Sequence, residues 1–305
     1  MPALPAIAFD RFPTSPLALR TNDPIDQAGR RAFSCQMAQI ATTARDHLAD
    51  LLATATDTED RVAALAAVHT SVTDWRHQAA ARATGRVGRG LHHNPDRFRT
   101  PIAAVGTNYD RIGPVGRLRD GSTWHPATRT YRGGTDTPAS RATAHYGLAA
   151  QRRFAREAPA ADILQNRVTL PDGRTIAGNR ILRGQAAHRA AADLTARIAA
   201  RGLDPARVET GGHPLYTATP DPADATLLRA EALRILAGPG LTPQLFLTAR
   251  YLLFQAPVMK KGSDAVTRVF TVAVADLLLG ADAPALPADI DLRCYVLGQQ
   301  AATRP

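Results

Sequence analysis

Apolar residues recur along this chain at helical spacing, interrupted by one long stretch in which the periodicity fails. Asp23-Pro24 reads as an N-cap followed by proline in the first turn, and Phe33, Met37, Ile40 and Leu48 carry the apolar face of the helix it opens. Thr56-x-x-Glu59 has the form of a capping box and opens a second helix, with Val62, Leu65, Val68, Val72 and Trp75 on one face. Thr137-Pro138 caps a third helix running to about Glu157. Further helices are expected at about 186–201, 222–237, 242–256, 263–279 and 288–299, with Gly202 and Gly280 at C′ positions. The clearest β signal is "NRVTLPDGRTIAGNRI" at 166–181, where Pro171-Asp172-Gly173 turns a hairpin.

Two segments depart from this pattern. Residues 1–22 hold four prolines and read as an extended arm. Residues 84–136 hold nine glycines and four prolines and read as loops with short strands, the mark of a functional or mobile segment. The expected organisation is an arm over 1–22 and one domain over 23–305. That domain carries a glycine-rich insert or lobe around 84–181. The fold class is mainly α, a helical bundle with a smaller α/β lobe.

Composition changes the picture at one place. Of 37 basic residues only two are lysines, and they are adjacent, Lys260 and Lys261. The 37 basic residues exceed the 27 acidic ones by a net charge of +10, which suits an acidic partner. The basic residues are scattered with no run of five, which argues against nucleic acid as that partner. No apolar run reaches 18 residues and the N-terminus lacks a secretory pattern, so no membrane is implied and a cytoplasmic location is expected. Cys35 and Cys294 lie far apart without a CxxC and read as buried thiols.

The lysines stand in "QAPVMKKGSDAVTRVF", 255–270, where Pro257 ends one helix and Ser263 reads as the N-cap of the next. A helix start offers free N–H groups and positive dipole, so Lys260, Lys261, Gly262 and Ser263 make a candidate anion mouth. Arg268, just over one turn into the helix, is a candidate second clamp on that anion. The alternatives are a solvated basic turn and, for Arg268, an i,i+4 pair with Asp264. His213, in the glycine-rich "TGGHPLY", is a candidate base or donor-orienting group, or a plain surface histidine. Asp289 and Asp291 are candidates for a ribose ligand or base, or acids favourable in a first helical turn. The adjacent His92 and His93 lack further ligands at metal spacing, so no metal site is expected.

The helix–loop–helix resembles the active-site region of Fic enzymes, whose HPFxxGNGRxxR motif cradles nucleotide phosphates. Gly262 and Arg268 match its first glycine and last arginine, while "APV" at 256–258 supplies no histidine base. It is more similar to the AvrB group of bacterial effectors, Fic-like proteins that also lack the histidine. "RRAFSCQMAQI", "VTDWRHQAAAR", "RFRTPIAAVGTNYD", "TARYLLFQAPVMKKGSDAVTRVF" and "LPADIDL" resemble AvrB segments in the same order, over about residues 28–300. The resemblance implies a Fic-like fold and transfer of a sugar, rhamnose in AvrB proteins, from a nucleotide-linked donor to a hydroxyl. Lys260, Lys261, Gly262 and Ser263 would hold the donor's pyrophosphate. Arg268 would brace it, and Thr100 and Tyr109 would line the sugar or base side. The partners implied are a nucleotide or nucleotide sugar as substrate and a protein or small-molecule hydroxyl acceptor, with no tightly bound cofactor. An effector route of secretion without a signal is the alternative to a cytoplasmic location. The alternative functions are a non-catalytic nucleotide-binding or protein-interaction module, and a Fic-like nucleotidyl- or phosphotransferase working without the usual histidine.

Overall fold

A computed structural model describes residues 4–83 and 94–304; His92 and His93 lie outside the described residues. Helices α1 (Pro24–Thr54), α2 (Thr58–Arg82), α3 (Ile102–Val105), α4 (Pro138–Glu157), α5 (Gly184–Ala199), α6 (Pro222–Ala237), α7 (Pro243–Gln255), α8 (Ser263–Leu278), α9 (Ile290–Val296) and α10 (Gln299–Ala302) dominate. Strands β1 (Tyr109–Ile112), β4 (Ile163–Thr169), β5 (Thr175–Leu182) and β6 (Leu215–Ala218) form an antiparallel sheet of order β1-β6-β5-β4. Strands β2 (Thr123–His125) and β3 (Thr130–Arg132) form a separate hairpin. The protein is therefore mainly helical with a small antiparallel sheet.

Helices α1, α2, α6, α7 and α8 share the largest core. Val266 to Ala275 of α8 are buried without interruption, which is why that stretch shows little polar periodicity. The sheet is covered on both faces. Tyr146, Phe154 and Leu292 of α4 and α9 pack on Ile112, Leu164 and Ile181, while Ala187 and Ala190 of α5 pack with Tyr216 and Ala218. A polar seam joins bundle and sheet. The buried Gln255 accepts from the Asn179 backbone N–H at 2.8 Å and donates to the Cys294 carbonyl at 2.6 Å. Asn166 and Asn179 each donate to the Tyr295 carbonyl at 3.0 Å, so α9 is fixed to the sheet by satisfied buried amides.

Asp23 caps α1 through its side chain to the Ile25 N–H, and Thr137 and Ser140 form a reciprocal box on α4. The second helix is capped one residue later than expected. Asp57 accepts from the Asp60 N–H, and the Asp60 carboxylate reaches back to Thr56, displacing Glu59 from that role. The span expected as one helix over 288–299 is α9 alone, ended by Gly298 at φ 82° before the short α10. Cys294 is buried, as expected, but Cys35 is exposed on the outer face of α1. No described helix is long and apolar enough to cross a membrane.

The proline-rich arm crosses the molecule. The buried Arg45 guanidinium donates to the carbonyls of Leu4 and Pro5 and pairs with Asp276 at 2.8 Å. Further along, the Leu19 carbonyl accepts from the Ala139 N–H at 3.1 Å. The arm thereby brings Arg20 beside the loop that joins α7 to α8.

Candidate anion-binding site

The α7–α8 loop is held by backbone bonds rather than left as a solvated turn. The Ile102 N–H donates to the Val258 carbonyl and the Lys260 N–H to the Thr100 carbonyl, both at 2.9 Å, so residues 100–102 pair with 258–260 as a short antiparallel bridge. Asn108 Nδ2 donates to the Lys260 carbonyl at 3.4 Å, and this ties the loop to the chain entering β1. Beneath the loop, His69, Thr73, Arg229 and Thr267 leave a cavity of only about 10 Å³, the size of one water, so the underside is packed.

Gly262, not Ser263, is the cap residue of α8. Its φ of 82° is a left-handed conformation, and an added Cβ would lie 2.6 Å from the Phe98 ring and 2.9 Å from Arg76 Cγ. Arg76 stacks on that same ring, with its guanidinium carbon 4.3 Å from the centroid. Ser263 is the first helical residue. Its hydroxyl accepts from the Met259 N–H at 3.1 Å and donates to the Met259 carbonyl at 3.0 Å, closing the loop on itself. Its hydroxyl is thus spent on the loop's own shape.

Around the lysines stand Arg20, Arg97, Arg197 and Arg201, with Asp110 and Asp193 as the nearby carboxylates. Burial, then the charges of Arg197 and Arg97, bring the Lys260 pKa down to about 8, against the raising effect of Asp193 and Asp110. Lys261 keeps exposed surface, but the protein packed around it, with Arg97, Arg20 and Arg201, also brings it to about 8. Arg97 is pushed down by burial and by Arg201. Such a group of cations repels itself, and a bound polyanion would relieve the repulsion. Arg197 is partly neutralised, since Nε donates to Asp193 at 3.0 Å and Nη1 to the Thr107 carbonyl at 2.7 Å.

The other residues singled out from the sequence divide into those near the lysines and those elsewhere. Thr100 adjoins the loop, but its hydroxyl donates to the Asp96 carbonyl at 2.8 Å. Tyr109 opens β1, with the Arg197 guanidinium carbon 5.6 Å from its ring centroid and its packing on the α5 side of the sheet. Arg268 is 2% exposed, and its fork is occupied. Nε donates to Asp264 at 2.8 Å, Nη2 to the Ala288 carbonyl at 2.9 Å, and Asp291 lies 3.7 Å away. Burial lowers its pKa, but Asp264 and Asp291 outweigh that and keep it charged. The i,i+4 pair with Asp264 is present but buried on the Arg268 side, and the rest of the fork ties α8 to the segment entering α9.

Asp289 accepts from the Tyr146 hydroxyl at 2.6 Å and from Arg293 Nε at 2.8 Å, and those bonds lower its pKa although burial opposes them. Asp291 is buried, and burial followed by the Asp264 charge raises its pKa. His213 is exposed beside a cleft of about 380 Å³ that includes Arg183, Gly184 and His188 at the start of α5. The lysines stand at the other end of α5, beside Asp193 and Arg197. Gly184 and His188 of the cleft lie five to thirteen residues from Asp193 and Arg197, about 8–20 Å along α5, so His213 and the lysine loop stand toward different ends of that helix.

Sequence reasoning missed Arg20, Arg97, Arg197, Arg201 and Asp110. In a chain with so many arginines no single one stands out, and these five residues come from four separate segments. Among the described residues no group of three or more His, Cys, Asp or Glu side chains is placed to hold a metal. No known protein-family model matches the chain, and no curated protein matches it.

Proposed function

We propose that this protein is a Fic-like, AvrB-type transferase that holds the diphosphate of a nucleotide-linked sugar at the lysine loop and passes the sugar to a hydroxyl acceptor. One observation carries the reading. Two lysines and three arginines, Arg20, Arg97 and Arg201, converge on a rigid loop at a helix start, with fewer carboxylates than cations beside them. Burial first, and then neighbouring cations, depress the pKa values of Lys260, Lys261, Arg20 and Arg97, against a smaller opposing effect of Asp110. In the transfer the acceptor oxygen bonds to the anomeric carbon and gives up its proton to solvent, as the bond from that carbon to the diphosphate breaks. The electron pair leaves on the diphosphate, where Lys260 and Lys261 neutralise the growing charge. The absence of histidine from "APV" at 256–258 argues against adenylylation by the usual Fic route. Labelled ATP and lysate are therefore expected to give no band that depends on the protein.

A second reading, a nucleotide-binding module without turnover, is favoured by the engagement of Arg268 in the scaffold and the distance of His213. The test is a thermal-shift screen of nucleotide sugars, nucleoside diphosphates and triphosphates, where a ligand at 100 times its Kd adds about 2.7 kcal/mol. Chromatography of the incubated sugars follows. Release of nucleoside diphosphate supports the transferase. Binding without release over many hours supports the module, and no binding of any diphosphate sinks both.

A further inference from the structure

We propose that Asp110 makes the lysine-loop site selective for a diphosphate that carries a sugar over one that carries a third phosphate. The inference rests on the diphosphate reading above and adds the residue that sets its substrate class.

Asp110 is the second residue of β1. Tyr109 packs on the α5 side of the sheet, and Ile112 packs with Tyr146 and Leu292 on the other. Strand alternation puts Asp110 on the Ile112 face, and it is exposed there. Two residues earlier, Asn108 bonds the Lys260 carbonyl, so the strand and the loop are fixed to each other. The Asp110 carboxylate acts on Arg20, Arg97, Lys260 and Lys261 alike, which places it among the cations that would hold a diphosphate. Asp110 pairs with Thr217 in the β1–β6 ladder, and the Thr217 hydroxyl also donates to its backbone carbonyl at 3.5 Å; among the described residues its carboxylate has neither hydrogen bond nor ion pair.

An ionised carboxylate only accepts hydrogen bonds. A group attached beyond the second phosphate of a diphosphate held by these cations would meet that acceptor. Sugar hydroxyls donate to it in charge-assisted bonds. A third phosphate brings like charge against it and is repelled. A divalent metal at Asp110 is the less fitting role, because its charge already acts on four side-chain cations.

The test is calorimetry on the full chain with pyrophosphate and tripolyphosphate, which need no knowledge of the base, and with UDP, UTP and UDP-glucose. The wild type is expected to bind pyrophosphate at least as tightly as tripolyphosphate. Asp110→Asn is expected to raise tripolyphosphate affinity at least tenfold and pyrophosphate affinity by much less, while Asp110→Glu keeps the wild-type order. Equal gains for both anions in Asp110→Asn would make Asp110 a background charge and overturn the inference, leaving the diphosphate reading intact. Failure of the wild type to bind either anion would overturn that reading and the inference with it.

Discussion

Lys260 and Lys261 carry the clearest consequence at the scale of single residues. Their folded pKa of about 8 lies below the ordinary 10.5, so between those values the unfolded chain binds more protons than the folded one. Stability contributed by these groups therefore rises with pH across that window, and below about pH 8 the full cost of two crowded charges is present. Polyanion binding runs the other way, needing the protonated lysines and weakening as pH climbs through 8. Lys260→Met with Lys261→Met is expected to raise the Tm of the free protein at pH 7 by about 2 °C, one kcal/mol corresponding to about 2–4 °C in chains of 150–250 residues. The same variant should lose pyrophosphate binding and flatten both pH profiles. A lower Tm, or unaltered calorimetric affinity, would remove the lysines from the site. Arg268 makes the opposite prediction. Arg268→Lys keeps the charge but loses the fork, so Asp264, Asp291 and the Ala288 carbonyl cannot all be served. Unfolding stability should fall by about 2 kcal/mol or more, with pyrophosphate affinity little changed. Its spacing from Gly262 is legible in the sequence. The direction of its fork is not, because that depends on where the segment at 287–291 crosses α8.

Elements explain why the loop is rigid, and how much of that could be read in advance. The long helices and the 163–182 hairpin follow from periodicity, caps and the Pro-Asp-Gly turn, while the four-residue helices α3 and α10 do not. Strands β1 and β6 do not. Each has four residues, β6 is buried throughout and shows no alternation, and glycines and prolines flank both. Yet β1 places Asp110 and Tyr109, and the pairing of residues 100–102 with 258–260 shapes the loop. Such long-range pairings leave no local signature. Gly262 is the joint where this pairing meets α8. Gly262→Ala combines a left-handed backbone with a 2.6 Å approach to the Phe98 ring. It should cost at least about 2 kcal/mol and weaken pyrophosphate binding together with stability. Unchanged melting and affinity would show that Phe98 and Arg76 yield easily and that the loop is not held from that side.

For the whole molecule the question is whether an anion answers to the net charge of +10 or to the cluster. Charges farther apart than the Debye length of about 10 Å at 0.1 M salt are largely screened, so scattered arginines should add little at a given point. The arm, the 3-10 turn at Pro95–Phe98, α5 and the α7–α8 loop each bring basic side chains to one place, and that convergence belongs to the fold and to no single segment. A charge-matched pair of variants separates the two. Lys260→Met with Lys261→Met, and Arg152→Gln with Arg189→Gln on the exposed faces of α4 and α5, each lower the net charge by two. If net charge governs, both lose pyrophosphate affinity equally, and the loss vanishes in high salt. If the cluster governs, the arginine pair keeps wild-type affinity within about twofold at 0.15 M salt, while the lysine pair loses at least about tenfold, or 1.4 kcal/mol. Equal losses in the two variants would make the lysine loop one basic turn among many.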